Sequence, residues 1–466
     1  MIRATRMFLT VSKEYNNIQG IYISTSSKQF FSENVKTNLL TTENNVRKNS
    51  NEFSDFKEKV NQNDYNLNSK EEKDDISSEI ESLYNDLKGK ELKSSVSNKP
   101  KVGEGNRVVR KSVQTMKYFI DVKTRPVNAL QSVLLNIDKN KSNLNLKNSA
   151  DLLYCVAKLS LKKSKFLDTL ADSIIEDKNV ISSGVIPANI LLSCGILKYR
   201  NTALIDMLSD KILSYEGPKQ NQQMLTALMT MAIVNYLSPN GEKIIDILSK
   251  QTKTDFKDSL SYLNFVWATV LLQKFSQDHI SNVLSTEFLT QLEIVNDTYG
   301  VDSRLESTRL KILNINAITS HIPSYKGNKL KNLRHSFVLS KKKSEFLSTV
   351  LDGLTHILPK TDYFTVNYDT KAGFIVDVLF YLDDNMKPKS LENKHKGNKL
   401  GLLLLDYNDF CLNSETLVGT TAFKEYILKK ENYKIVKVNN NYYKSLTKMS
   451  EKVNYLQKCI KNAFNA

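Results

Sequence analysis

The chain has 466 residues, and 66 lysines and arginines against 50 aspartates and glutamates leave a formal charge of +16. That length exceeds one ordinary core and predicts two or more domains, and the cation excess points to a polyanionic partner, nucleic acid before an anionic membrane. Four scattered cysteines (Cys155, Cys194, Cys411, Cys459) and five histidines show no CxxC, HxH or HExxH spacing, so neither a disulfide framework nor a metal site is expected.

Residues 1–33 carry Arg3, Arg6, Lys13 and Lys28 and, as far as Ser32, a single acid, Glu14, among frequent hydroxyl residues such as Thr5, Thr10, Ser12 and Ser24. A basic, hydroxyl-rich, acid-poor start without a long apolar stretch reads as a mitochondrial presequence rather than a secretory signal. No run approaches the roughly 18 apolar residues that a membrane-crossing helix needs, so no span is expected. Residues 34–113 are Asn, Ser, Lys, Glu and Asp with isolated hydrophobes, too few to offset the entropy of ordering, and predict a disordered linker. Gly103 and Gly105 lack a third glycine and a preceding strand, which excludes a nucleotide loop.

Folded sequence is expected from Met116. Four apolar segments recur, Phe166–Leu170, Leu204–Leu208, Ile244–Leu248 and Ile280–Leu284, with centres at 168, 206, 246 and 282, which are 38, 40 and 36 residues apart. Each follows a second apolar helical pattern, as at Leu152/Leu153/Val156 and Leu191/Leu192/Ile196. Two helices per period of this length define an α-solenoid over residues 116–290, because one pair cannot hide its own apolar stripe. Met224, Met229, Met231 and the lone Trp267 read as packing between helices.

A further helix carries Leu305, Leu310, Ile312, Leu313 and Ile318 and stops before Pro323. The densest cationic run follows: Lys326, Lys329, Lys331, Arg334, Lys341, Lys342 and Lys343, with no acid until Glu345. It is the candidate phosphate-contacting surface. Over residues 401–460 four consecutive leucines lead to Asp406, a helical pattern (Phe423, Ile427, Leu428) comes next, and a short strand runs from Tyr433 to Val438. A continuous apolar run is buried on both faces, which predicts a covered α/β sheet with Asp406 at the carboxyl end of a strand, where such sheets place ligands.

In FVWATVLLQKFSQDHISNVLSTEFLTQLE and RLKILNINAITSHIPSYKG the chain resembles the first and second FAST domains, over about 222–290 and 303–390. GFIVDVLFYLDD, LLLLDYNDF, the Gly419 turn and YKIVKV resemble a RAP module and the strand leading into it. In order and spacing these match the FAST kinase domain-containing proteins, nearest to the fourth member of that family. The resemblance implies a mainly α protein, a helical-repeat solenoid followed by a small C-terminal α/β RAP module similar to the PD-(D/E)xK nuclease fold. It also implies a mitochondrial matrix location, with mitochondrial RNA (mRNA or precursor transcripts) and other RNA-processing proteins as partners.

Phosphoryl transfer is excluded by the lack of a GxGxxG loop over a strand, a VAIK-like lysine, HRD and DFG. Under the nuclease resemblance Asp377 and Asp406 are the candidate catalytic acids, but Asn408 stands where the lysine of that motif belongs. Lys437, on the next strand, is the candidate for the missing ammonium and for RNA contact, while Asp409 is expected to turn outward. The leading expectation is therefore a non-catalytic protein that stabilises or helps process organelle transcripts, with no cofactor and no metal ligand. The alternatives are an endoribonuclease, the one case that requires Mg²⁺, and a protein-interaction scaffold.

Overall fold

The structure, a computed structural model, describes residues 104–177, 184–217, 219–292, 303–331, 333, 337, 339–412 and 414–465. They fall into two compact units, ending at and beginning after Asp177. The expected presequence and most of the expected linker lie outside the described residues.

The first unit holds α1 (Glu104–Asp121), α2 (Val127–Lys139), α3 (Leu146–Lys158) and α4 (Ser164–Glu176). Helix α1 corrects the linker boundary: residues 104–113 are helical, because Val109, Val113, Met116 and Phe119 form one buried stripe. It packs on α2 and on α3, and α3 on α4.

The second unit opens with three more pairs: α5 (Val185–Leu197) and α6 (Thr202–Leu213), α7 (Gln220–Ile233) and α8 (Pro239–Ser249), α9 (Ser259–Leu271) and α10 (Gln277–Val283). First helices pack on first helices (α5 on α7, α7 on α9) and second on second (α6 on α8). The expected segments fall on α4, α6, α8 and α10 as the second helices of their pairs.

One turn recurs in all five pairs. Lys123, Ser160, Lys198, Asn235 and Gln273 have φ of 54°, 52°, 55°, 51° and 59°. Each helix end closes with two backbone bonds, as in Lys198 N–H to Gly195 O at 3.1 Å and Tyr199 N–H to Cys194 O at 2.9 Å. This is the Schellman end, normally built on glycine. Three residues later the next helix starts, and Asn201, Ser238 and Ser276 cap it by accepting backbone N–H groups of its first turn.

After α11 (Thr286–Gln291) comes α12 (Ser303–Thr319), which packs on α9 and α10. Trp267 is buried, as expected, and its indole N–H donates to Asn314 Oδ1 at 3.1 Å; Asn314 Nδ2 donates to Ala372 O at 2.8 Å. Met224, Met229 and Met231 are also buried.

The α/β part contains α13 (Lys341–Leu354), β1 (Phe364–Asp369), β2 (Ile375–Leu382), β3 (Pro388–Lys389), β4 (Asn398–Leu405), α14 (Gly419–Lys430), β5 (Lys434–Asn439), α15 (Asn440–Ser445) and α16 (Met449–Asn465). The sheet order is β1-β2-β4-β5, with β3 also on β2. Only β4 and β5 are parallel, in a register that pairs Leu405 with Asn439. The sheet thus begins inside the stretch expected to be the second FAST region, about forty residues before 401. One face (Val378, Phe380, Leu400, Leu402, Leu404, Val436, Val438) is covered by Phe346, Leu347 and Val350 of α13 and Leu456 and Ile460 of α16. The other face (Val376, Leu379, Leu403, Leu405) meets Leu428 of α14. Being buried on both sides is why β4 reads as unbroken leucine.

Helix α14 also packs on α7 and α9. At Gly419 a Cβ would stand 1.7 Å from Ala232 O, so only glycine permits the approach. The loop before it is tied down as well: Lys198 Nζ donates to Asn408 O at 2.6 Å, Leu412 N–H to Lys198 O at 2.9 Å, and Cys411 Sγ to Val234 O at 3.4 Å.

Candidate nucleic-acid interface

Asp377 is the third residue of β2, near its amino end, with 1 % of its surface exposed. Its Oδ2 accepts the Leu404 N–H at 2.8 Å, and its Oδ1 faces Lys343 Nζ at 3.1 Å. Lys343 comes from the first turn of α13, where Ser340 Oγ accepts its N–H at 3.2 Å. Burial pulls the Lys343 ammonium down, but Asp377, Asp409 and Asp406 outweigh it and hold it above the ordinary 10.5.

The loop after β4 folds back on itself. Asp406 Oδ1 accepts the Asn408 N–H at 2.6 Å, and Asp409 Oδ2 accepts the Asp406 N–H at 2.9 Å. Asp409 Oδ1 accepts the Thr421 hydroxyl at 3.0 Å. Asp409 therefore turns inward, contrary to expectation, because its oxygens satisfy loop and helix donors. Burial pushes its carboxyl above the ordinary range, with Lys343 opposing the shift. Lys424 of α14 faces the same acids; burial pulls its ammonium below its ordinary value, against Asp377. Lys437 does not reach Asp377: its Nζ pairs with Glu425 Oε1 at 3.2 Å.

The two candidate acids thus meet at one sheet edge around an ammonium. Asp377 Oδ2 and Asp406 Oδ1 accept backbone N–H groups, while the buried Asp377 Oδ1 has the Lys343 ion pair at 3.1 Å but no hydrogen-bond donor. No group of three or more His, Cys, Asp or Glu among the described residues is arranged to hold a metal ion. Lys343 Nζ lies beside the Asp377 carboxylate, 3.1 Å from its Oδ1.

The structure divides the basic run. Lys326, Lys329 and Lys331 are exposed on a loop pinned to α12, with Leu330 N–H donating to Asn316 Oδ1 at 2.8 Å and Asn316 Nδ2 to Leu330 O at 3.0 Å. Lys341 and Lys342 are exposed at the start of α13. Lys343 is committed to Asp377, which corrects its assignment as a free phosphate contact. Arg334 lies outside the described residues.

The sequence reading passed over Lys424, Tyr407 and Tyr442. Tyr407 and Tyr442 are 47 % and 54 % exposed and follow the carboxyl ends of β4 and β5. A signal was available in their distance, two and three residues, from the ends of those strands. Tyr443 is buried and donates its hydroxyl to Thr349 O at 3.0 Å.

Residues 224–293 match FAST kinase-like protein, subdomain 1, residues 309–390 match subdomain 2, and residues 402–459 match the RAP domain. Among curated relatives, FAST kinase domain-containing protein 3, mitochondrial, of Bos taurus is 28 % identical over 239 residues, which is 48 % of this chain and 35 % of that protein. The Homo sapiens protein of the same name is 26 % identical over 286 residues, 57 % of this chain and 42 % of the relative. The chain therefore spans less than half the length of these relatives. They carry the name of the third member, where the sequence reading leaned to the fourth. Three domain matches in one order, on the helices, sheet and loop described above, give the chain FAST kinase-like subdomains 1 and 2 and a RAP domain, and in these it is similar to the FAST kinase domain-containing proteins.

Proposed function

We propose that this chain is a non-catalytic mitochondrial RNA-binding protein that acts on the stability or processing of organelle transcripts in the matrix. The observation that carries the reading is the division of labour among neighbouring lysines. Lys343 neutralises the acids at the sheet edge, while Lys341 and Lys342 beside it stay exposed. Cations at a helix N-terminus oppose its dipole, at about 0.3–1 kcal/mol each, which an external phosphate would relieve. The RAP match, the mitochondrial names of the relatives and the basic first 33 residues support compartment and ligand.

The route is read across the sheet edge and the Lys326–Lys331 loop. The faces of α7 and α9 that would otherwise be open are covered by α12 and α14. Phosphate contacts position the strand and unpaired bases supply selectivity.

Fluorescence anisotropy with a labelled 20-nucleotide single-stranded RNA tests the reading. If Lys326, Lys329, Lys331, Lys341 and Lys342 each meet a phosphate, log Kd changes with log salt by about 3–4. Changing all five to alanine flattens that dependence. No binding at 50 mM salt would reject the proposal.

A further inference from the structure

Parallel pairing puts the carboxyl ends of β4 and β5 side by side, with Leu405 opposite Asn439. Tyr407 comes two residues beyond one end and Tyr442 three beyond the other, so the topology brings two exposed tyrosines to one edge. Exposing two aromatic side chains after the ends of adjacent strands costs hydrophobic stabilisation that core packing would otherwise supply.

Tyr442 is held in place rather than loose. Asn439 Oδ1 accepts the N–H groups of Asn441 and Tyr442 at 2.9 and 3.3 Å and starts α15. The ring of Tyr442 packs on that of Tyr455, with centroids 4.8 Å apart and planes at 44°. Tyr455 in turn accepts the Asn439 N–H at 3.2 Å. One face of the Tyr442 ring is thus backed by a fixed partner.

The same edge holds the start of α13. The Lys343–Asp377 pair and the Leu404–Asp377 bond tie that helix end to β4, so Lys341 and Lys342 project beside it. Lys444, exposed in α15, adds a cation two residues from Tyr442. Aromatic rings with flanking ammonium groups at the ends of adjacent strands are the chemistry that takes unpaired bases with their phosphates.

We infer that Tyr407 and Tyr442 form a two-base stacking platform for single-stranded RNA, with Lys341, Lys342 and Lys444 on the adjoining phosphates. This rests on the RNA-binding reading and gives it a ligand class: the platform takes unpaired nucleotides and discriminates against duplex.

The test uses the full chain, a fluorescein-labelled 12-nucleotide single-stranded RNA, its duplex, and heparin as a polyanion without bases. Tyr407→Ala and Tyr442→Ala each weaken single-strand binding about ten-fold, within the range for loss of one base–aromatic stack. Tyr407→Phe and Tyr442→Phe keep wild-type affinity, and heparin binding is unchanged in all four. Wild type prefers the single strand to the duplex. Unchanged RNA affinity in both alanine variants, while Lys341→Ala/Lys342→Ala weakens it, would overturn the platform and leave RNA binding standing. Equal loss of RNA and heparin binding in the alanine variants would overturn stacking too. Wild-type chain that binds heparin but no RNA would remove the functional proposal itself.

Discussion

Lys343 and Asp377 are an unequal pair, and the inequality decides what each substitution does. Asp377 is 1 % exposed and Lys343 26 %. Lys343→Met leaves a buried carboxylate without its cation, a loss of about 3 kcal/mol. Asp377→Asn keeps an oxygen for the Leu404 amide and leaves an ammonium that can still reach water, so its cost is nearer 1 kcal/mol. Urea unfolding of both variants measures the order. The pH dependence follows from the raised Lys343 value. A base held above its ordinary 10.5 contributes stability that is complete below that value and is lost as pH climbs through the folded one. The gap between wild type and Lys343→Met is therefore flat from neutral pH to about 10 and narrows above it. Lys343 was legible in the sequence as one of seven cations; nothing local marked it as the one that turns inward, because its partner lies 34 residues away on another element.

At the scale of elements, helix pairs were legible and the turns between them were not. Apolar spacing located the second helix of each pair, since that pattern repeats wherever a stripe must be buried. The recurring left-handed residue is Lys, Ser, Lys, Asn and Gln, never the glycine that would have signalled it. Such residues are strained there by roughly 1 kcal/mol. Gln273→Gly and Ser160→Gly should each raise stability by up to about that amount, read as a higher urea midpoint. Gly419→Ala has the opposite sign, since Ala232 O lies 1.7 Å from the new methyl. It should cost about 2–3 kcal/mol and expose the 408–418 loop to limited proteolysis.

For the whole molecule the family boundaries and the physical ones differ. The matched RAP stretch, 402–459, holds half of β4 and all of β5 but neither β1, β2 nor α13. That leaves two strands with one face unprotected, below what an isolated sheet needs. A fragment of residues 402–459 should lack a folded circular dichroism spectrum, whereas one beginning at residue 184 should unfold cooperatively. Tertiary packing of α14 on α7 and α9 and of α12 on α9 also leaves these helices less open face than a bare helical array would have.

The sequence alone determined the mainly helical architecture, the paired-helix period, the doubly buried strand and the excess of cations, because each is written in local spacing or composition. Only the tertiary structure decided which lysine neutralises the acids, which glycine lets two helices meet, and that two tyrosines share an edge. Those depend on contacts between residues far apart in the chain, and local pattern carries no record of them.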